Sequence, residues 1–113
     1  GGGPAYGNLP TNVINVQINS PAPGSNVGNA PFPILGTIDF APGQVQYYRF
    51  LIQGPQFPDW TVIGEPHYSP VVNGQLEVLY PPPTAGGYQL MLELYNPGGT
   101  LVQQPIFIPF NVP

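Results

Sequence analysis

The sequence predicts an all-β fold, on three observations. There are 15 glycines and 18 prolines in 113 residues, which would interrupt any regular helix at short intervals. Several segments alternate apolar and polar residues with a period of two, the spacing of a half-buried strand. Clusters of Pro, Gly, Asn and Ser separate those segments and supply turns.

Residues 1–12 (GGGPAYGNLPTN) have Tyr6 and Leu9 as their only bulky apolar groups and read as an extended arm ahead of a domain over 13–113. The chain opens Gly1-Gly2-Gly3-Pro4 with no Met, which fits either a processed product or an excised segment. From Val13 the alternation begins: Ile14, Val16 and Ile18 point one way, and Asn15, Gln17 and Asn19 the other. Ser20-Pro21-Ala22-Pro23-Gly24-Ser25 ends that strand.

A second strand is expected over Ile34 to Phe40. A third, Gln44 to Ile52, is apolar on both faces and therefore central. Gly54-Pro55 breaks it, Trp60-Thr61-Val62-Ile63 forms a fourth, and a loop follows through Pro66 and Pro70. Asn73-Gly74, between apolar runs, predicts a hairpin turn, because both turn residues must accept positive φ. Gln75 to Tyr80 is then a strand that Pro81-Pro82-Pro83 stops. Tyr88 to Tyr95 alternates again, and Asn96-Pro97-Gly98-Gly99 turns the chain into a last strand from Leu101 to about Val112. Pro105 and Pro109 lack amide hydrogens, so that strand must lie on an edge or be bulged.

About seven strands at this spacing favour an immunoglobulin-like antiparallel β-sandwich, with a small Greek-key barrel as the competitor. Nothing has the alternating βα spacing of a parallel sheet. No run approaches the roughly 18 apolar residues of a membrane helix, so membrane insertion is not expected.

Charge narrows the function further. Only Asp39, Arg49, Asp59, Glu65, Glu77 and Glu93 are charged, for a net charge of −4. With one Arg and no Lys the chain cannot neutralise a row of phosphates, so nucleic acid and anionic lipid are poor partners. The absence of Cys and the single His exclude thiol chemistry, disulfides and the usual zinc sites, and no cofactor is expected.

Six ordered blocks resemble a group of bacterial extracellular Ig-like domains. They are Ile18-Asn19-Ser20-Pro21-Ala22-Pro23-Gly24-Ser25-Asn26-Val27, Pro33-Ile34-Leu35-Gly36-Thr37-Ile38, Gln46-Tyr47-Tyr48, Asp59-Trp60-Thr61-Val62-Ile63-Gly64, Pro70-Val71-Val72-Asn73-Gly74 and Gly87-Tyr88-Gln89-Leu90. Such modules accompany penicillin-binding cell-wall enzymes and other secreted surface proteins. The resemblance, over about residues 14 to 112, implies a sandwich at the cell surface or beyond it, with no catalytic residue. The chain departs from the pattern in having Val78-Leu79-Tyr80 before the Gly-x-Tyr block and Asn, Gln and Tyr where outward charges are usual.

No constellation for catalysis is evident. His67 has no Ser-His-Asp spacing and no second imidazole, so it reads as a loop residue. The five carboxylates are scattered, unlike a calcium loop or a glycosidase pair. Trp60, Tyr88, Leu90 and Leu92 are assigned to the core, with Tyr88 making a corner hydrogen bond. A sugar-binding role, cell-wall polysaccharide included, would instead need Trp60 or a row of Tyr exposed on a flat face. Arg49, the sole Arg, is expected to pair with an acid or stack on an aromatic.

Sheet edges are ordinarily protected by charge, particularly Lys, and this chain has almost none. The expected function is therefore a non-enzymatic structural subunit that self-assembles head to tail with copies of itself into an extracellular filament or surface layer. Its contact arm would comprise Tyr6, Leu9, Val13, Ile14, Val16 and Ile18, added to an exposed edge of the next subunit. The alternative is an accessory spacer or binding module of a larger secreted cell-wall enzyme or adhesin.

Overall fold

The computed structural model describes residues 14–113, and over these the chain is all β in two sheets. The strands are β1 (Asn15–Ser20), β2 (Ser25–Asn26), β3 (Phe32–Asp39), β4 (Tyr47–Gly54), β5 (Phe57–His67), β6 (Val71–Leu79), β7 (Gly86–Tyr95) and β8 (Ile106–Val112). One sheet has the order β1-β3-β6 and the other β2-β8-β7-β4-β5. All pairings are antiparallel except that of two-residue β2 with β8.

The alternation produces a single core between the sheets. Tyr48, Phe50 and Ile52 of β4, Tyr88, Leu90, Leu92 and Leu94 of β7, and Ile108 and Phe110 of β8 face it from one side. Ile34 and Ile38 of β3 with Leu76 and Leu79 of β6 close it from the other. β4 is flanked by β7 and β5, the central position its two apolar faces predict. Beyond β8 lies only β2, which pairs with it at Phe110 and Asn111, so the proline-bearing strand is neither an edge nor bulged as expected but lies one short strand in from the edge.

Ile14, Val16 and Ile18 differ from expectation. They are partly buried against the chain's own core, and β1 pairs with β3 of the same chain. Their apolar surface is thus used internally, which removes them from a subunit-contact arm. Tyr6, Leu9 and Val13, with the rest of the arm over 1–12, lie outside the described residues.

Asn73-Gly74 makes no hairpin. Both residues lie inside continuous β6, where the register with β3 shifts between Gly36 and Ile38. Asn73 has φ 50°, and its amide donates to Thr37 Oγ1 at 2.9 Å. The dipeptide's tolerance of positive φ serves a bulge here rather than a turn.

Candidate interaction surfaces

Three arrangements of side chains stand apart from ordinary packing. The first is a polar clasp joining the two sheets. Gly64, at φ +64°, leaves space on β5 that the Glu77 carboxylate of β6 fills; a Cβ there would collide with it. Glu77 Oε1 lies 2.7 Å from His67 Nε2 and accepts from the Glu65 amide at 3.3 Å, while Oε2 accepts from the Val78 amide at 2.9 Å. His67 also stacks on Tyr48, with ring centroids 5.0 Å apart. Burial, reinforced by the Glu77 charge, pushes the Tyr48 hydroxyl up to about 12. His67 is thus the last residue of β5 and a partner of Glu77, not the loop residue expected from sequence. The pairing spans two sheets, so no local spacing announces it.

The second arrangement is the outer face of the five-stranded sheet, whose registers align three rows. Tyr47 and Tyr95 form one and Arg49 and Glu93 the next. Further along the sheet, Val62, Leu51, Met91 and Phe107 lie side by side. Arg49 Nε donates to Glu93 Oε1 at 2.9 Å, Tyr95 Oη donates to the same oxygen at 3.0 Å, and the guanidinium lies 5.3 Å from the Tyr95 ring centre. Burial works against the Arg49 charge, but the Glu93 hydrogen bond and charge outweigh it and raise the guanidinium pKa. The sole Arg is neutralised within the face, both by an acid and over an aromatic.

Trp60 belongs to this outer face and not to the core. Its indole is half-buried, with its ring centre 5.8 Å from that of Phe107. Parity along β5 explains the reversal. Phe57 and Ile63 pack on the core, whereas Val62, two residues from Trp60, pairs with outward-facing Leu51. Contact between β5 and β8 carries the rings across β4 and β7, which accounts for Leu51 and Met91 being buried on an otherwise open face. Tyr88, Leu90 and Leu92 do lie in the core. The Tyr88 hydroxyl donates to Thr84 O at 2.7 Å and accepts from the Gln56 amide at 3.1 Å. Next to the aromatic pair opens a cleft of about 490 Å³ bordered by Gln53, Pro58, Gln89, Pro109 and Asn111.

The third arrangement is the set of sheet edges. β5 carries Asp59, Glu65, Pro58 and Pro66, and the partnerless side of β6 carries Glu77. β1 is six residues long and has neither charge nor proline, and among the described residues no strand pairs with its outer side. An apolar groove of about 630 Å³ near its end is lined by Pro21, Val27, Pro31, Phe32 and Leu35. Among the described residues no three His, Asp or Glu side chains converge as a metal site would require.

No family model and no curated protein matches the sequence. The crystal structure of an engineered protein is similar in fold, with a TM-score of 0.56 and 16% identity over 97% of this chain and 21% of that one. The chain spans about a fifth of that protein's length.

Proposed function

We propose that the chain is an immunoglobulin-like, non-enzymatic structural module of the bacterial cell exterior whose copies join head to tail by strand addition at β1. The Ig-like assignment draws support from the order β1-β3-β6 against β8-β7-β4-β5 and from the hydrogen bond of Tyr88, at the start of β7, back to Thr84 O. The extracellular placement rests on the sequence resemblance. The observation that carries self-association is the contrast between edges: acids and prolines guard β5, β2 is only two residues long, β6 is tied to β5 through Glu77, and six-residue β1 has neither charge nor proline.

Magnitudes say what else the contact needs. Four to six added backbone hydrogen bonds contribute about 3–6 kcal/mol net, against an association cost of at least about 4 kcal/mol and often more. Pairing alone is marginal. Seating Tyr6 and Leu9 of a neighbour's arm in the groove beside Pro21 and Phe32 adds about 1.5–3 kcal/mol per large apolar side chain, enough to decide the balance.

Sedimentation velocity from micromolar to millimolar protein tests this. The full chain should grow with concentration, whereas a chain lacking residues 1–12 and the double variant Gln17→Lys/Asn19→Lys should both remain monomers. A full chain that stays monodisperse at millimolar levels rules the proposal out, as does an edge-lysine variant that assembles like its parent. A second reading, an accessory binding module of a larger secreted cell-wall enzyme or adhesin, is favoured by the aromatic outer face, which contact at β1 leaves unused.

A further inference from the structure

The outer face of the five-stranded sheet points to a ligand class. We propose that it binds a neutral polysaccharide, with Trp60 and Phe107 as one stacking platform and Tyr47 with Tyr68 as another. This deepens the accessory-module reading and is independent of β1.

The argument starts from what the face leaves open. Leu51 and Met91, its aliphatic centre, are 6% and 9% exposed beneath the aromatic pair, while Phe107 is 51% and Tyr68 60% exposed. The accessible surface therefore combines these aromatic rings with Val62, 43% exposed at the end of the same row. The ring centres of Tyr47 and Tyr68 are 6.1 Å apart, so these two form a second aromatic unit. Along β4, Tyr47 and Leu51 are four residues apart, which separates the platforms by about 13 Å at the rise of a strand. That spacing suits an extended oligosaccharide better than a single ring.

Polar groups of a matching kind flank the platforms. Gln53 and Gln89 pair across β4 and β7, and Gln89 pairs onward with Pro109, beside the cleft that Asn111 also borders. Side-chain amides both donate and accept, as sugar hydroxyls do. Gln89 is exposed, Gln53 Nε2 donates to Pro58 O, and Asn111 Nδ2 donates to Gly24 O, so the last two amides are held in place, and among the described residues their carbonyl oxygens have no donor.

Charge excludes other classes. Arg49 and Glu93 satisfy each other at 2.9 Å, so neither is free to recognise an anion or a cation. Exposed aromatics alone would also suit a contact between copies, so the flanking amides of Gln53, Gln89 and Asn111 decide for a hydroxyl-rich ligand. An uncharged ligand with apolar C–H faces and a rim of hydroxyls fits both features.

Trp60 is the chain's only tryptophan, so its fluorescence reports on the proposed site directly. The full chain is titrated with cellohexaose, chitohexaose and mannohexaose, and tested for co-sedimentation with cellulose, chitin and mannan. The proposal expects a saturable fluorescence change and retention on at least one of these. Gln89→Ala, at an exposed position, should weaken that binding about tenfold with the unfolding midpoint unchanged, and Phe107→Ala, half exposed, should weaken it at least as much. Trp60→Ala should abolish retention. Absence of binding across the panel overturns the proposal, and so does binding that Gln89→Ala and Phe107→Ala leave intact. A change in sedimentation coefficient with Phe107→Ala, without glycan present, would also overturn it by identifying this face as a contact between copies. Failure of assembly at β1 leaves these outcomes unaffected.

Discussion

Removing the Glu77 carboxylate should loosen the open side of the fold where β5 and β6 meet. Glu77 is 11% exposed at the side chain and receives His67 Nε2 at 2.7 Å, the Val78 amide at 2.9 Å and the Glu65 amide at 3.3 Å. Hydrogen bonds to an ionised group contribute about 1.5–3 kcal/mol each when well formed. The bond to Glu65 is long, the bond to Val78 is local, and the His67 ring is one-third exposed, so solvent recovers part of each. The sum for Glu77→Ala is then about 2–4 kcal/mol, or a Tm lower by roughly 10–25 °C in a domain of this size. Urea unfolding followed by circular dichroism measures it, with Glu77→Gln as the variant that keeps shape and hydrogen-bonding capacity but loses charge. A double-mutant cycle with His67→Ala should return a coupling of about 1 kcal/mol, and with Gly64→Ala, which displaces the same carboxylate, the two losses should be strongly non-additive. A Glu77→Ala chain within about 0.5 kcal/mol of the parent would refute the idea that this carboxylate ties the sheets together.

Burial lifts the folded-state pKa of Tyr48 from 10.0 to about 12, so the folded chain holds its proton more tightly than the unfolded one. Stability is then unaffected by this group below pH 10 and falls by about 2–3 kcal/mol as pH rises to 12; Tyr48→Phe should flatten that part of a stability-against-pH profile. Tyr88→Phe removes the bond to Thr84 O and an acceptor for the Gln56 amide, at a cost of about 1–2 kcal/mol measurable by chemical denaturation with the fold retained. Leu92→Ala, at a fully buried site of central β7, should cost about 2–5 kcal/mol in the same assay.

Local chemistry in the sequence accounts for much of this architecture. Period-two alternation located β4 and β7 and put Leu90 and Leu92 inside, because a residue's face on a strand follows from its parity. Pro105 and Pro109 called for an edge or bulged strand, whereas β8 lies one strand in from the edge, with two-residue β2 pairing only at Phe110 and Asn111 beyond it. Trp60 was assignable by the same rule, since it shares parity with Val62 and not with Ile63. The general preference of large aromatics for a core points the other way and does not hold at this position. Asn73-Gly74 satisfies turn and bulge alike, and only the pairing of β6 with β3, through Thr37 and Asn73, distinguishes them. The Glu77 clasp joins residues ten and more positions apart through two different sheets, and its design depends on Gly64 lacking a Cβ. Periodicity carries no trace of such a contact.

Hydrogen exchange at the β1 amides that face away from β3 tests the central claim most directly. If a neighbour's arm adds a strand there, these amides should exchange freely in dilute solution and become protected as the full chain is concentrated, and the protection should vanish when residues 1–12 are removed. Exchange at the same rate in dilute and concentrated samples would contradict the account.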